Sequence, residues 1–110
     1  MKIVWISLFI LAVGLPVHAK VRNVLTCADE YTMVKIDTTG EFGSDEYQVL
    51  ITDLRNGDEF PYRAVLKNGS FVSTEKGNPT INMDSESIAF VKSGWGLVVI
   101  EGENCSMNMN

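Results

Sequence analysis

The chain has 110 residues, with 9 Lys+Arg against 14 Asp+Glu, one histidine, two cysteines and a formal net charge of −5. That length supports one domain with a modest core. The acidic balance is the wrong sign for nucleic acid or anionic lipid, so neither is expected as a partner, whereas a basic protein would be steered toward it.

The first predicted element is one that leaves the chain. Residues 1–19, MKIVWISLFILAVGLPVHA, carry Lys2 as a positive start, an apolar run from Ile3 to Leu15, and Val17 and Ala19 at small-residue cleavage positions. This is the pattern of a secretory signal peptide. The run is shorter than the roughly 20 residues of a spanning helix, and Gly14 and Pro16 stand where a span would continue, so no membrane span is expected. Cleavage leaves Lys20 to Asn110, 110 − 19 = 91 residues, as a single domain with 8 basic and 14 acidic groups, a net charge of 8 − 14 = −6. It also removes His18, the single histidine. The expected location is periplasmic or extracellular.

In such an oxidising compartment Cys27 and Cys105 have one intramolecular pairing open to them. That bond would close most of the domain into one loop, worth about 4.5 kcal/mol of chain entropy. A redox role would need a Cys-x-x-Cys spacing, and a catalytic thiol would need an activating histidine. Neither exists here.

Apolar residues then recur at every second position in short runs. Val21, Val24 and Leu25 to Ala28 make the first. Tyr31 to Asp37 puts Val34 and Ile36 on one face, and Tyr31 and Met33 on the other. Phe60, Tyr62, Ala64 and Leu66 alternate with Pro61, Arg63, Val65 and Lys67. The period of two, with β-branched and aromatic residues dominating, predicts strands. Asn56-Gly57 stands between Tyr47 to Leu54 and Glu59 to Leu66, and Asn68-Gly69 between that run and Phe71 to Thr74. Both dipeptides tolerate the positive φ of a type I′ hairpin. Thr80 to Met83, Ser87 to Lys92 and Trp95 to Glu101 extend the series.

The expected fold is therefore all-β, an antiparallel meander of about seven or eight strands, a closed barrel in preference to a sandwich because closure hides the edges. Loops are expected at 38–45 and 75–79, and a fraying tail at 106–110.

The search for chemistry returns few groups. Without histidine the domain has neither a Ser-His-Asp site nor an ordinary zinc site, and its glycines fall in turns rather than in a phosphate loop. No metal or cofactor is expected. Asp29-Glu30, Asp45-Glu46 and Asp58-Glu59, with Asp84 and Glu86, are acidic sets at turns. They read either as solvated surface or as paired carboxylates for glycoside hydrolysis or calcium. Trp95, in Ser93-Gly94-Trp95-Gly96, reads as a cap on the barrel end or as a partner contact. Asn68-Gly69-Ser70 also fits the glycan-acceptor pattern, relevant only in a eukaryotic host.

Leu25-Thr26-Cys27-Ala28-Asp29-Glu30-Tyr31-Thr32-Met33-Val34 resembles the opening of the bacterial periplasmic inhibitors of C-type lysozyme. Trp95-Gly96-Leu97-Val98-Val99, through Gly102 to Cys105, is similar to that family's closing segment. The resemblance implies a small acidic barrel of about eight strands, closed by a terminal disulfide, that inserts a loop into an enzyme cleft. It covers the two ends of the domain. The family's inhibitory Ser-Gly pair followed by tyrosine has no counterpart in Ser73 to Met83, and no contact residue is carried over. The expected function is a monomeric, non-enzymatic binding protein, an inhibitor of a cationic hydrolase such as lysozyme. The alternatives are a carboxylate-dependent hydrolase of extracellular glycans and a structural component of the envelope.

Overall fold

The computed structural model describes residues 20–84 and 86–108. The predicted signal peptide, Ser85 and the last two residues of the expected fraying tail lie outside the described residues. Nine strands follow in chain order: β1 (Asn23–Ala28), β2 (Thr32–Thr38), β3 (Glu46–Asp53), β4 (Asp58–Lys67), β5 (Ser70–Ser73), β6 (Ile81–Met83), β7 (Ser87–Lys92), β8 (Gly96–Glu101) and β9 (Cys105–Met107). They form one antiparallel sheet in the order β8-β7-β6-β5-β4-β3-β2-β1-β9, rolled into a nearly closed barrel. A 3-10 turn at Gly102–Asn104 links the last two strands. The expected all-β meander is the architecture that forms, with one strand more than anticipated.

The alternation in the sequence decides which face is buried. Val34 and Ile36 on β2, Val49 and Ile51 on β3, and Ile88 and Phe90 on β7 each have 4 % exposure or less. Leu25, Cys27, Ala64, Phe71, Ile81 and Ile100 complete the same cluster. Phe71 meets Tyr47 edge to face, with ring centroids 5.2 Å apart, the geometry aromatic quadrupoles favour. Met33 and Tyr31 stand on the opposite face, as their alternation predicts.

The two Asn-Gly turns differ. Asn68 at φ 51° and Gly69 at φ 79° make the two-residue reversal between Lys67 and Ser70, with positive φ at both central residues. At Asn56-Gly57 only the glycine has positive φ, and the loop takes four residues because strand pairing ends at Asp53 opposite Asp58. Gly57 donates to the Asp53 carbonyl at 2.7 Å, and the Asp53 carboxylate accepts from the Arg55 backbone N–H at 3.0 Å. A side chain that captures the loop's own backbone stretches the hairpin beyond the tight form.

The long loops are anchored. Arg63 donates to Glu41 at 3.0 Å and to Glu46 at 3.3 Å, tying the β2–β3 connection to β4. Tyr62 donates its hydroxyl to the Pro79 carbonyl at 2.7 Å, which holds the β5–β6 loop, and burial pushes that phenol's pKa well above its ordinary value.

The tail is corrected. Residues from Ser106, expected to fray, instead continue as β9: Cys105, Ser106 and Met107 pair with Cys27, Thr26 and Leu25, and Asn108 donates to the Val24 carbonyl at 2.8 Å. A bulge between Asn23 and Leu25 in β1 leaves Val24 outside the ladder to β2, and Asn23 Nδ2 fills it by donating to Asp37 Oδ1 at 2.8 Å. Three residues are too few to show an alternation, so the strand is visible only through the bridge that seats it.

Gly102 controls the step from β8 to β9. Its N–H donates to the Glu86 carbonyl, and a Cβ there would lie 2.8 Å from that same oxygen. Backbone must move to admit a methyl group, so Gly102→Ala is expected to cost about 1–3 kcal/mol. A urea midpoint that stays unchanged would contradict this reading of the turn.

Candidate functional site

An antiparallel meander sends alternate turns to opposite barrel ends. The β1–β2 turn, the β3–β4 loop and the β7–β8 loop therefore share one end. There they enclose a groove of about 380 Å³ lined by Asp29, Tyr31, Thr32, Arg55, Trp95 and the Leu97–Val99 stretch of β8.

The β7–β8 loop is built by glycine. Gly94 at φ 85° and Gly96 at φ 77° let Ser93–Trp95 reverse the chain, with Trp95 N–H donating to the Lys92 carbonyl at 2.9 Å. Trp95 is consequently half-buried, edge to face against Phe60 at 5.7 Å. The Lys92 ammonium sits 3.8 Å from the Phe60 centroid and 4.6 Å from that of Trp95, a cation–π arrangement worth roughly 0.5–1 kcal/mol where water has access. Trp95 thus packs on Phe60 on one side and forms part of the groove wall on the other.

The opposite wall is an Asx turn. Asp29 Oδ1 accepts from the backbone N–H groups of Tyr31 and Thr32, each at 2.9 Å, the local bonding that aspartate offers a tight turn. Leu54 N–H donates to the Tyr31 carbonyl at 2.8 Å and fastens the neighbouring loop alongside.

Beside this wall lies a pair the sequence reading missed. Asp53 is 5 % exposed and its carboxylate is gripped side-on by Arg55, Nε to Oδ1 and Nη2 to Oδ2, both at 3.0 Å. The guanidinium stands 5.9 Å from the Tyr31 ring centroid. The local signal for it is an Asp-x-Arg at the end of a strand, Asp53-Leu54-Arg55. The Arg55 hydrogen bond holds the Asp53 pKa below its ordinary value of 3.8, with burial opposing. A depressed carboxylate contributes stability fully above its unfolded value near 3.8, and loses it as the pH falls through the lower folded value. Acid unfolding of Asp53→Asn should accordingly show a flatter slope than the parent as the pH falls below about 4. Identical slopes would mean that Asp53 titrates as in the unfolded chain.

The acidic sets do not assemble at this groove. Asp29 serves its turn, Glu46 shares Arg63 with Glu41, Asp58 faces Asp53 at the hairpin, and Asp84 accepts from Glu86 N–H at 2.7 Å. Among the described residues no group of three or more His, Cys, Asp or Glu side chains is placed to hold a metal ion.

Cys27 and Cys105 form the bridge, joining residues 78 positions apart. A disulfide is compatible with an exported, oxidising compartment. Among the described residues no helix is long and apolar enough to cross a membrane. Fold and groove together define a small disulfide-closed β-barrel with a groove at the end that carries the β1–β2, β3–β4 and β7–β8 connections. No family model, no curated protein and no solved structure matches the chain.

Proposed function

We propose that the chain is an exported, non-enzymatic binding protein that takes a basic protein, a hydrolase of the lysozyme kind, at the groove beside Trp95. The observation that carries this reading is the groove itself: a half-buried indole and an exposed apolar strand facing Asp29, on a domain with a net charge of −6 over residues 20–110. An aromatic anchor inside a rim of polar groups is the usual anatomy of a protein-binding patch, and opposite charge accelerates the encounter. The resemblance of both chain ends to the lysozyme inhibitors agrees with it.

A carboxylate hydrolase would keep one acid protonated near neutrality. The most buried carboxylate here, Asp53, is instead tied to Arg55 with its pKa lowered.

Calorimetric titration with a C-type lysozyme at low ionic strength tests the reading. A complex is expected that weakens as salt approaches the 0.1–0.2 M range, where screening reaches about 10 Å, and that weakens at least tenfold in Trp95→Ala. Absence of a complex with lysozyme and with other basic envelope hydrolases at low salt would overturn it.

A further inference from the structure

We infer that the groove works by strand addition: an extended cationic segment of the partner pairs with the open edge of β8 and occupies the seam between β8 and the β1–β2 turn. The inference rests on the binding role proposed above and specifies how the partner is held.

The seam exists because, among the described residues, no strand ladder joins the two ends of the sheet. β9 pairs with β1, whereas β8, which runs directly into it through the 3-10 turn, has among the described residues a strand neighbour only in β7. Its other edge, at Leu97–Val99, faces the groove, with Asp29, Tyr31 and Thr32 across from it.

Edge strands are ordinarily protected by charge, proline, a bulge or a cover. The stretch Gly96-Leu97-Val98-Val99-Ile100 contains no charged residue and no proline, and its register with β7 runs without a shift. Leu97 is 67 % exposed and Val99 45 %, and Leu97 lies opposite Val91, itself 65 % exposed. An unpaired ladder flanked by exposed apolar side chains is the template used in β-augmentation, where backbone bonds supply affinity and alternate side chains supply selectivity.

Shape selects a single strand. The stretch Leu97–Val99 offers roughly 10 Å of edge, and the groove of about 380 Å³ is walled on both sides. A second copy would bring another sheet behind its own edge, and a seam bounded by the β1–β2 turn has no place for it. Charge selects a cationic segment. Arg55 is held by Asp53, which leaves Asp29 as the lining charge without an ion pair among the described residues, on a domain whose net charge is −6 over residues 20–110.

The test uses the disulfide-intact domain, isotopically labelled, titrated with the capped pentapeptide Lys-Val-Thr-Val-Lys and with Glu-Val-Thr-Val-Glu as the control. The lysine peptide should shift the amide signals of Leu97–Val99 and Asp29–Thr32 and slow hydrogen exchange along β8, and the control should do neither. The double variant Leu97→Glu, Val99→Glu alters two exposed positions, and an unchanged circular dichroism spectrum confirms its fold. Added carboxylates would tighten binding driven by charge alone; strand addition instead predicts affinity for the lysine peptide at least tenfold lower. Shifts confined to other surfaces, no binding at millimolar peptide, or tighter binding by the double variant would each overturn the inference. Lysozyme binding without peptide binding rejects strand addition and keeps the binding role. Peptide binding without a lysozyme complex keeps the seam and rejects the hydrolase as its partner.

Discussion

Replacing both Cys27 and Cys105 with alanine should lower stability by about 4.5 kcal/mol, the chain entropy released when a loop spanning 78 positions is opened. A domain of this size has roughly 5–15 kcal/mol in total, so the loss takes about a third of it or more, and the melting temperature should fall by roughly 20 °C or more. The structural reason goes beyond loop closure. Cys27 pairs directly with Cys105 in the β1–β9 ladder, and β9 has only three residues with which to hold itself there. Thermal unfolding followed by circular dichroism, with and without reductant, measures the effect. A shift under about 5 °C would mean that backbone pairing alone seats β9.

Phe71→Ala should cost about 3–5 kcal/mol, the range for removing a buried phenylalanine from a core that cannot collapse around the gap. Phe71 is 2 % exposed and contributes the largest buried side chain of β5, a strand of only four residues. It pairs with Leu66 on one side and Ile81 on the other, and its ring meets Tyr47 from β3. Phe71 thus stands between β4 and β6 in the sheet, with its ring against β3. Phe42→Ala supplies the contrast, because Phe42 is 80 % exposed and its loss should change stability by less than about 0.5 kcal/mol. Urea unfolding at constant m-value separates the two. Equal midpoints would place the core elsewhere.

The fold was legible where alternation was long enough to read. In β2 and β4 the period of two groups Val34 with Ile36, and Phe60 with Tyr62, Ala64 and Leu66; the structure places all of these in the core or packed against it except Leu66, which is 47 % exposed near the end of β4. Lys67-Asn68-Gly69-Ser70 specified its own turn, since positive φ at two successive residues is a local property of those side chains. What escaped depends on contacts distant in sequence. β9 forms because Cys105 is bonded to Cys27, and Asn108 reaches Val24 through a bulge that nothing in the local sequence marks.

The groove was half legible for the same reason. Trp95 between two glycines announced a side chain at a loop, yet its contact with Phe60 and the cation above both rings required β4 and β7 to be placed first. The Asp53–Arg55 pair spans only two residues, but its burial comes from the barrel around it. An open β8 edge is a property of the whole sheet order and has no sequence signature at all.

Amide hydrogen exchange of the free, disulfide-intact protein tests that open edge most directly. In β3, flanked by β2 and β4, every ladder amide should be protected. Along Gly96–Glu101 protection should alternate, slow where the N–H points to β7 and close to loop rates where it points into the seam. Uniform slow exchange through β8 would show a strand already paired on both sides, and the barrel would have no seam to offer.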